Sequence, residues 1–196
     1  MLTQLRPAIV MMALFTLLLG LAYPLAVTGF AQGVFPDRAN GSLVRDASGA
    51  VQGSSLIGQP FAEAGYLHPR PSAAGDGYNA QSSSGSNLGP LNAGLAERVK
   101  TTADAIRADD GAASVPADAV TASASGLDPD ISPAYARVQA ARIATARGVP
   151  TAEVQRVIDQ HTQGALLGFI GQPRVNVLMA NRALDARFTR PSAAGR

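Results

Sequence analysis

The stretch AIVMMALFTLLLGLAYPLAVTGFA, residues 8–31, carries no charged side chain, and its reading decides how the rest of the chain is organised. At about 1.5 Å of rise per residue a helix here reaches roughly 36 Å, against about 30 Å of bilayer hydrocarbon. A helix also satisfies its own backbone hydrogen bonds, which hydrocarbon demands of any segment that crosses it. Arg6 before the stretch and the small residues around Gly29-Phe30-Ala31 would suit a cleavable signal peptide as well. The apolar part of such a peptide runs only about 7–15 residues, however, and this one is far longer. The stretch reads as an uncleaved signal anchor. It leaves residues 1–7 as a short tail on one side and hangs the remaining chain on the other.

Inside the anchor, Ala22, Ala26 and Gly29 recur at i, i+4 and i+7. Small residues so spaced let a second membrane helix approach closely. Pro24 interrupts the hydrogen-bond ladder and favours a kink, while Tyr23 and Phe30 suit the outer interfacial zone. Arg6 on one flank nearly balances Arg38 and Arg45 on the other. Orientation therefore rests on size: a long C-terminal part translocates largely regardless of charge, which favours N-terminus in, C-terminus out.

Residues 32–188 are long enough for one domain with its own core, and 189–196 (TRPSAAGR with its Thr189) read as a disordered tail. With a formal net charge of +2 for the whole chain, no concentrated basic patch exists for nucleic acid. The absence of cysteine removes disulfides, thiolate zinc sites and thiol nucleophiles.

Residues 41–59 suggest a hairpin turning at Ala47-Ser48-Gly49, and 60–90 a Gly/Ser/Pro-rich ordered loop. Leu91, Leu95, Val99, Thr102 and Ile106 then recur at helical spacing, stopped by Asp109-Asp110-Gly111. Ala119-Val120-Thr121 suggests a short strand. Ser132-Pro133 opens a helix that runs to Gly148, and Thr151 opens another with Val154, Val157, Ile158 and His161 on one face. Val175 and Val177 alternate as in a strand, and 178–185 returns to helical spacing.

Catalytic motifs are missing. The one lysine, Lys100, follows Glu97-Arg98-Val99, so it closes no phosphate-binding loop and follows no phosphorylatable aspartate. Neither a TVGYG filter nor a Gly-x-Ser-x-Gly elbow occurs, and His68 and His161 are too far apart in sequence for a metal-binding pair. By elimination the residues describe an anchored domain, with no catalytic residue and no metal site, whose working surfaces are contacts with partners.

An ordered series of short runs now carries a resemblance: GSSLIGQ (53–59), RPSA (70–73), SGSNLGP (84–90), VTAS (120–123), GLDP (126–129), ISP (131–133), His161-Thr162, Gly164 and PRVNVL (173–178). In this order they resemble the C subunits of the Kdp potassium-transporting P-type ATPase (KdpC), over residues 6–188. Ala124, Asp130, Gln163 and Gln172 depart from that family's usual glycine, histidine, glutamate and glutamate. The resemblance implies an α/β (α+β) extracytoplasmic domain on a single N-terminal transmembrane helix. The chain would lie in the cell (inner) membrane with its N-terminus cytoplasmic and its domain periplasmic.

Implied partners are a channel-like A subunit, a P-type ATPase B subunit and a small F peptide, besides membrane lipid. The family is commonly described as a catalytic chaperone of the B subunit. A domain outside the membrane cannot touch cytoplasmic ATP, however, and no nucleotide motif is present. The expected role is therefore non-catalytic: assembly and stabilisation of the pore and ATPase subunits, with action at the extracytoplasmic potassium entrance. The anchor would clamp partners through Ala22, Ala26, Gly29 and Pro24. Arg70, Ser72, Ser84, Ser86, Asn87, Asp128, Arg174 and Asn176 form the candidate extracytoplasmic surface. This chain alone would hold no cofactor; ATP with magnesium, and potassium, are handled by the complex. Two alternatives stand beside this: a catalytic chaperone raising the ATP affinity of the B subunit through a subunit/ATP ternary complex, which the topology disfavours, and a free-standing envelope-anchored binding module.

Overall fold

The computed structural model describes residues 2–188; the expected disordered tail at 189–196 lies outside them. The chain divides into two compact units, one ending at Gln52 and one beginning at Gly53.

The first unit is dominated by a continuous helix, Leu5–Val34, of 30 residues and mean hydropathy 2.2, with none of its most apolar window buried. It is long and apolar enough to cross a membrane and outruns the 8–31 stretch at both ends. It consists of α1 (Leu5–Leu17), a π-helical turn (Leu18–Ala22) and α2 (Tyr23–Val34). Pro24 explains the turn: it donates no hydrogen bond and its ring crowds the carbonyl four residues back, at Gly20, so the wider π turn takes up the strain. A short helix, α3 (Pro36–Ala39), follows, then strand β1 (Leu43–Arg45). The expected hairpin forms. Asp46 closes its turn by accepting from the Ser48 amide and hydroxyl at 2.9 and 2.6 Å and from the Ala50 amide at 3.0 Å. The Ser48 hydroxyl bond lowers the Asp46 pKa first of all. The chain passes into the second unit within strand β2 (Val51–Ser54), which pairs with β1.

The second unit holds α4 (Ala93–Asp110), α5 (Ala117–Val120), β3 (Asp130–Ile131), α6 (Pro133–Val138), α7 (Ala140–Arg147), α8 (Thr151–Gln160), β4 (Thr162–Gln163), β5 (Arg174–Asn176) and α9 (Val177–Arg187). Its sheet has the order β3-β5-β4, antiparallel throughout, with Ile131 opposite Val175 and Thr162 also opposite Val175. Segregated helices over a short antiparallel sheet make the unit α+β. Leu67, Ile143, Val154, Ile158, Val175 and Leu184 are fully buried at its centre. Each large aliphatic side chain so placed contributes about 1.5–3 kcal/mol. Only α8 has the strongly one-sided face the spacing promised, with Val154, Val157 and Ile158 inward.

Four expectations need correction. Residues 119–121 are no strand: Ala117–Val120 form a helical turn after Pro116, with Ala119 and Val120 buried. The helix expected from Ser132 to Gly148 breaks at Gln139, where α6 ends and α7 begins. Leu91 is 99% exposed and precedes α4, which Asn92 caps by accepting from the Gly94 amide. Val177 is the first residue of α9 rather than strand, although it is buried as alternation required.

Candidate functional site

The Gly/Ser-rich loop is ordered by the segment it lies against. The Gly58 amide donates to the Leu127 carbonyl at 2.8 Å and the Ser84 amide to Ser125 at 3.0 Å. The Ser72 hydroxyl donates to the Gly126 carbonyl at 2.6 Å and accepts from the Ala74 and Tyr78 amides. Glycine is required where the backbones meet: a Cβ on Gly58 would stand 2.5 Å from the Asp128 carbonyl oxygen. The Tyr78 hydroxyl donates to the Arg70 carbonyl, and burial raises its pKa well above the ordinary phenol value.

This packing delivers Arg70 to Asp128, with Nη1 to Oδ2 at 2.7 Å and both side chains mostly buried. The guanidinium also reaches the Thr121 carbonyl at 3.3 Å. The other oxygen of Asp128 accepts from the Asp130 amide at 3.0 Å, which turns Asp130 toward β5. There Asp130 meets Arg174 Nε at 3.1 Å and Asn176 Nδ2 at 3.2 Å. Burial raises the Asp130 pKa, opposed by the bond from Asn176 and the charge of Arg174. Asn176 caps α9 by accepting from the Met179 amide at 3.1 Å and donates to the Ser55 carbonyl at 2.9 Å.

Arg70, Asp128, Asp130 and Arg174 line a cleft of about 920 Å³, with Asp118, Arg137, Thr162 and Gln172 along its wall. Asp118 holds the start of α6, accepting from the amide and hydroxyl of Ser132 at 2.7 and 2.9 Å. Two ion pairs, Arg70–Asp128 and Arg174–Asp130, thus stand in the lining of the cleft. That arrangement fixes a shape and a local field more readily than it frees a group for proton transfer.

Of the residues the sequence singled out, the structure brings Arg70, Asp128, Arg174 and Asn176 together. Ser72 faces a second cavity of about 470 Å³ instead. Ser84, Ser86 and Asn87 continue the loop and do not line the cleft, with Asn87 held at φ 52°. Ala22, Pro24, Ala26 and Gly29 lie exposed on the apolar helix. Among the described residues no group of three His, Cys, Asp or Glu side chains is placed to hold a metal ion.

Sequence reasoning missed a buried polar clamp, two of whose members, His68 and Asp110, line the second cavity. Gln139 exchanges two hydrogen bonds with the His68 backbone, and Asn181 two with the Leu67 backbone, at 2.7–3.1 Å. Both side-chain amides stand in for a neighbouring strand. Arg142 donates to Asp110 at 2.7 Å, to the carbonyls of Ala64 and Tyr66, and to Gln139. Arg147 donates to the Gly65 carbonyl and Asp185 and lies 4.9 Å over the Tyr66 ring. The available signal was polar residues three or four apart on otherwise apolar helix faces, Gln139 with Arg142 and Asn181 with Asp185.

His68 sits against this clamp, its Nε2 3.3 Å from Arg142 Nη1. Burial first, and then the Arg142 charge, lowers its pKa below the ordinary 6.5. Folding therefore favours neutral imidazole, and on acidification the unfolded chain takes up the proton first. The stability from this group is complete above pH 6.5 and is lost as pH falls from there through the folded pKa. Urea unfolding of the full-length chain in mild detergent, followed by circular dichroism, should weaken between pH 7.5 and about 5.5. His68→Gln should flatten that slope.

The chain matches the family model KdpC, described as the K+-transporting ATPase c chain, over residues 5–186. It is 68% identical over 188 residues to a potassium-transporting ATPase KdpC subunit of Caulobacter sp. (strain K31), covering 96% of each chain. It is 62% identical to the subunit of that name from Beijerinckia indica, again covering 96% of each. The one from Myxococcus xanthus is 56% identical over 95% of this chain and 88% of its own.

Proposed function

The chain belongs to the KdpC family of K+-transporting ATPase c chains, and on that premise we propose that it is the non-catalytic accessory subunit of an ATP-driven potassium uptake complex. The helix Leu5–Val34 crosses the cell membrane with its N-terminus cytoplasmic, and Ala22, Ala26 and Gly29 seat it against the pore and ATPase subunits. The second unit stands outside the membrane at the potassium entrance. A channel-like A subunit, a P-type ATPase B subunit and an F peptide are the partners; ATP and magnesium stay with the B subunit.

The observation that carries the reading is the cleft in which Arg70–Asp128 and Arg174–Asp130 are paired with each other and with backbone. Such a rigid charged face shapes the potential at an ion entrance without turning over a substrate. Arg174 is 51% exposed in its pair, so changing it spares the core. In the purified complex, Arg174→Glu replaces a positive charge with a negative one beside the entrance. It should lower the apparent KM for potassium about two- to fourfold at low ionic strength, fading with added salt. The KM for ATP should not move. A shift in the ATP KM with potassium unaffected would favour the chaperone reading, and no change in either would remove the cleft from the entrance.

A further inference from the structure

We infer that the tip of the β4–β5 hairpin is an apolar plug that seats in a neutral, apolar concavity on a partner subunit of the complex; this rests on, and deepens, the accessory-subunit reading. β4 and β5 pair with Gln163 opposite Arg174, so residues 164–173 form the connecting loop. At its tip Leu166, Leu167, Phe169 and Ile170 are 67%, 77%, 77% and 49% exposed. Four large apolar side chains on one short loop of a water-soluble face mark an interaction site rather than scattered surface residues.

The tip also has a fixed shape. The amides and carbonyls of Leu166 and Ile170 exchange two hydrogen bonds of 2.9 Å, and the Gly168 amide donates to Ala165 at 3.0 Å. Leu167 is held at φ 54°, a region that disfavours a leucine, and its side chain is among the exposed ones.

Two occupants compete for such a tip: a lipid surface and a protein pocket. Elements that lie in a membrane interface are rich in Lys and Arg, with Trp or Tyr at headgroup level. Residues 162–173 contain none of these and no charge of either sign. A fluid acyl layer also needs no defined loop shape, whereas a packed protein pocket does. Finally, the same hairpin continues through Gln172, Pro173 and Arg174 into the wall of the charged cleft. The plug and the cleft thus form one continuous face, with an apolar anchor beside a charged rim.

The test uses the complete complex in native membranes. A benzophenone amino acid placed at Phe169 should photo-crosslink to a partner subunit, at least tenfold above the same probe at the exposed Ala146 on α7. An adduct with lipid alone, or none above the Ala146 level, would overturn the inference. Independently, Phe169→Ser should reduce the partner subunits retained with this chain in detergent about tenfold, and Phe169→Leu should restore them. The melting of the isolated full-length Phe169→Ser chain should match wild type, because the side chain touches solvent rather than core. Unchanged retention would overturn the plug while leaving the potassium-KM effect of Arg174→Glu intact. A crosslink without that KM effect would keep the plug and sink the entrance role.

Discussion

Arg142→Met is expected to lower the unfolding free energy by about 3–5 kcal/mol, the range for removing one member of a buried ion pair. Arg142 and Asp110 are 10% and 5% exposed, so the orphaned carboxylate has little access to water. The same substitution removes donors from the Ala64 and Tyr66 carbonyls and from the Gln139 amide oxygen. Gln139 would then hold the His68 amide with one fewer restraint on its own position. Urea unfolding followed by circular dichroism reads the loss, and hydrogen exchange at the amides of Leu67 and His68 should accelerate with it. Replacing Asp110 with leucine in the same chain should return part of the stability, since no buried charge is then left over. A loss below about 1 kcal/mol for the single change would mean that water reaches Asp110 in solution.

That clamp shows where the sequence is legible and where it is silent. The apolar helix was readable because crossing hydrocarbon imposes a length and an absence of charge, both visible locally. Helix α8 was readable because Val154, Val157 and Ile158 repeat at the helical period. Helix-start chemistry at Ser132-Pro133 and the stop at Gly148, with φ 65°, were also readable. The break at Gln139 has no glycine or proline to announce it. It coincides with a side chain that exchanges two hydrogen bonds with the His68 backbone, seventy-one positions earlier in the chain. Likewise Val120 and Thr121 carry strand propensity, and a four-residue helix is too short to display a period.

The candidate site was half legible for the same reason. Arg70, Asp128, Arg174 and Asn176 came from a resemblance carried by short runs, and those runs are the places where distant segments touch. Asp130, by contrast, departs from the family's usual residue, yet it links Arg174 and Asn176 to the Asp128 turn. Its role follows from geometry alone. The loop 60–90 has no periodicity because its order comes from long-range bonds such as Ser72 to Gly126.

Gly126→Ala is the second large effect, and it should reach both stability and the cleft. Gly126 lies at φ +66°, and a Cβ there would stand 2.7 Å from the Ala74 nitrogen and the Ser84 carbonyl oxygen. Two penalties add. The left-handed conformation costs a side chain about 1–2 kcal/mol, and forcing an atom against backbone costs about 1–3 more. The contacted atoms belong to the loop 60–90 itself, so relief requires that loop to lift from 121–131. Lifting it would stretch the Ser72–Gly126 bond and the Arg70–Asp128 pair two residues further on. Gly111→Ala separates the penalties, since Gly111 has nearly the same φ, +65°, with nothing within 4 Å of the added Cβ. Gly111→Ala should lose about 1–2 kcal/mol and leave potassium KM unchanged. Gly126→Ala should lose about 2–5 kcal/mol and shift that KM. Equal losses for the two glycines would show that the loop yields without strain, and that Gly126 serves only the turn and not the seating of Arg70 on Asp128.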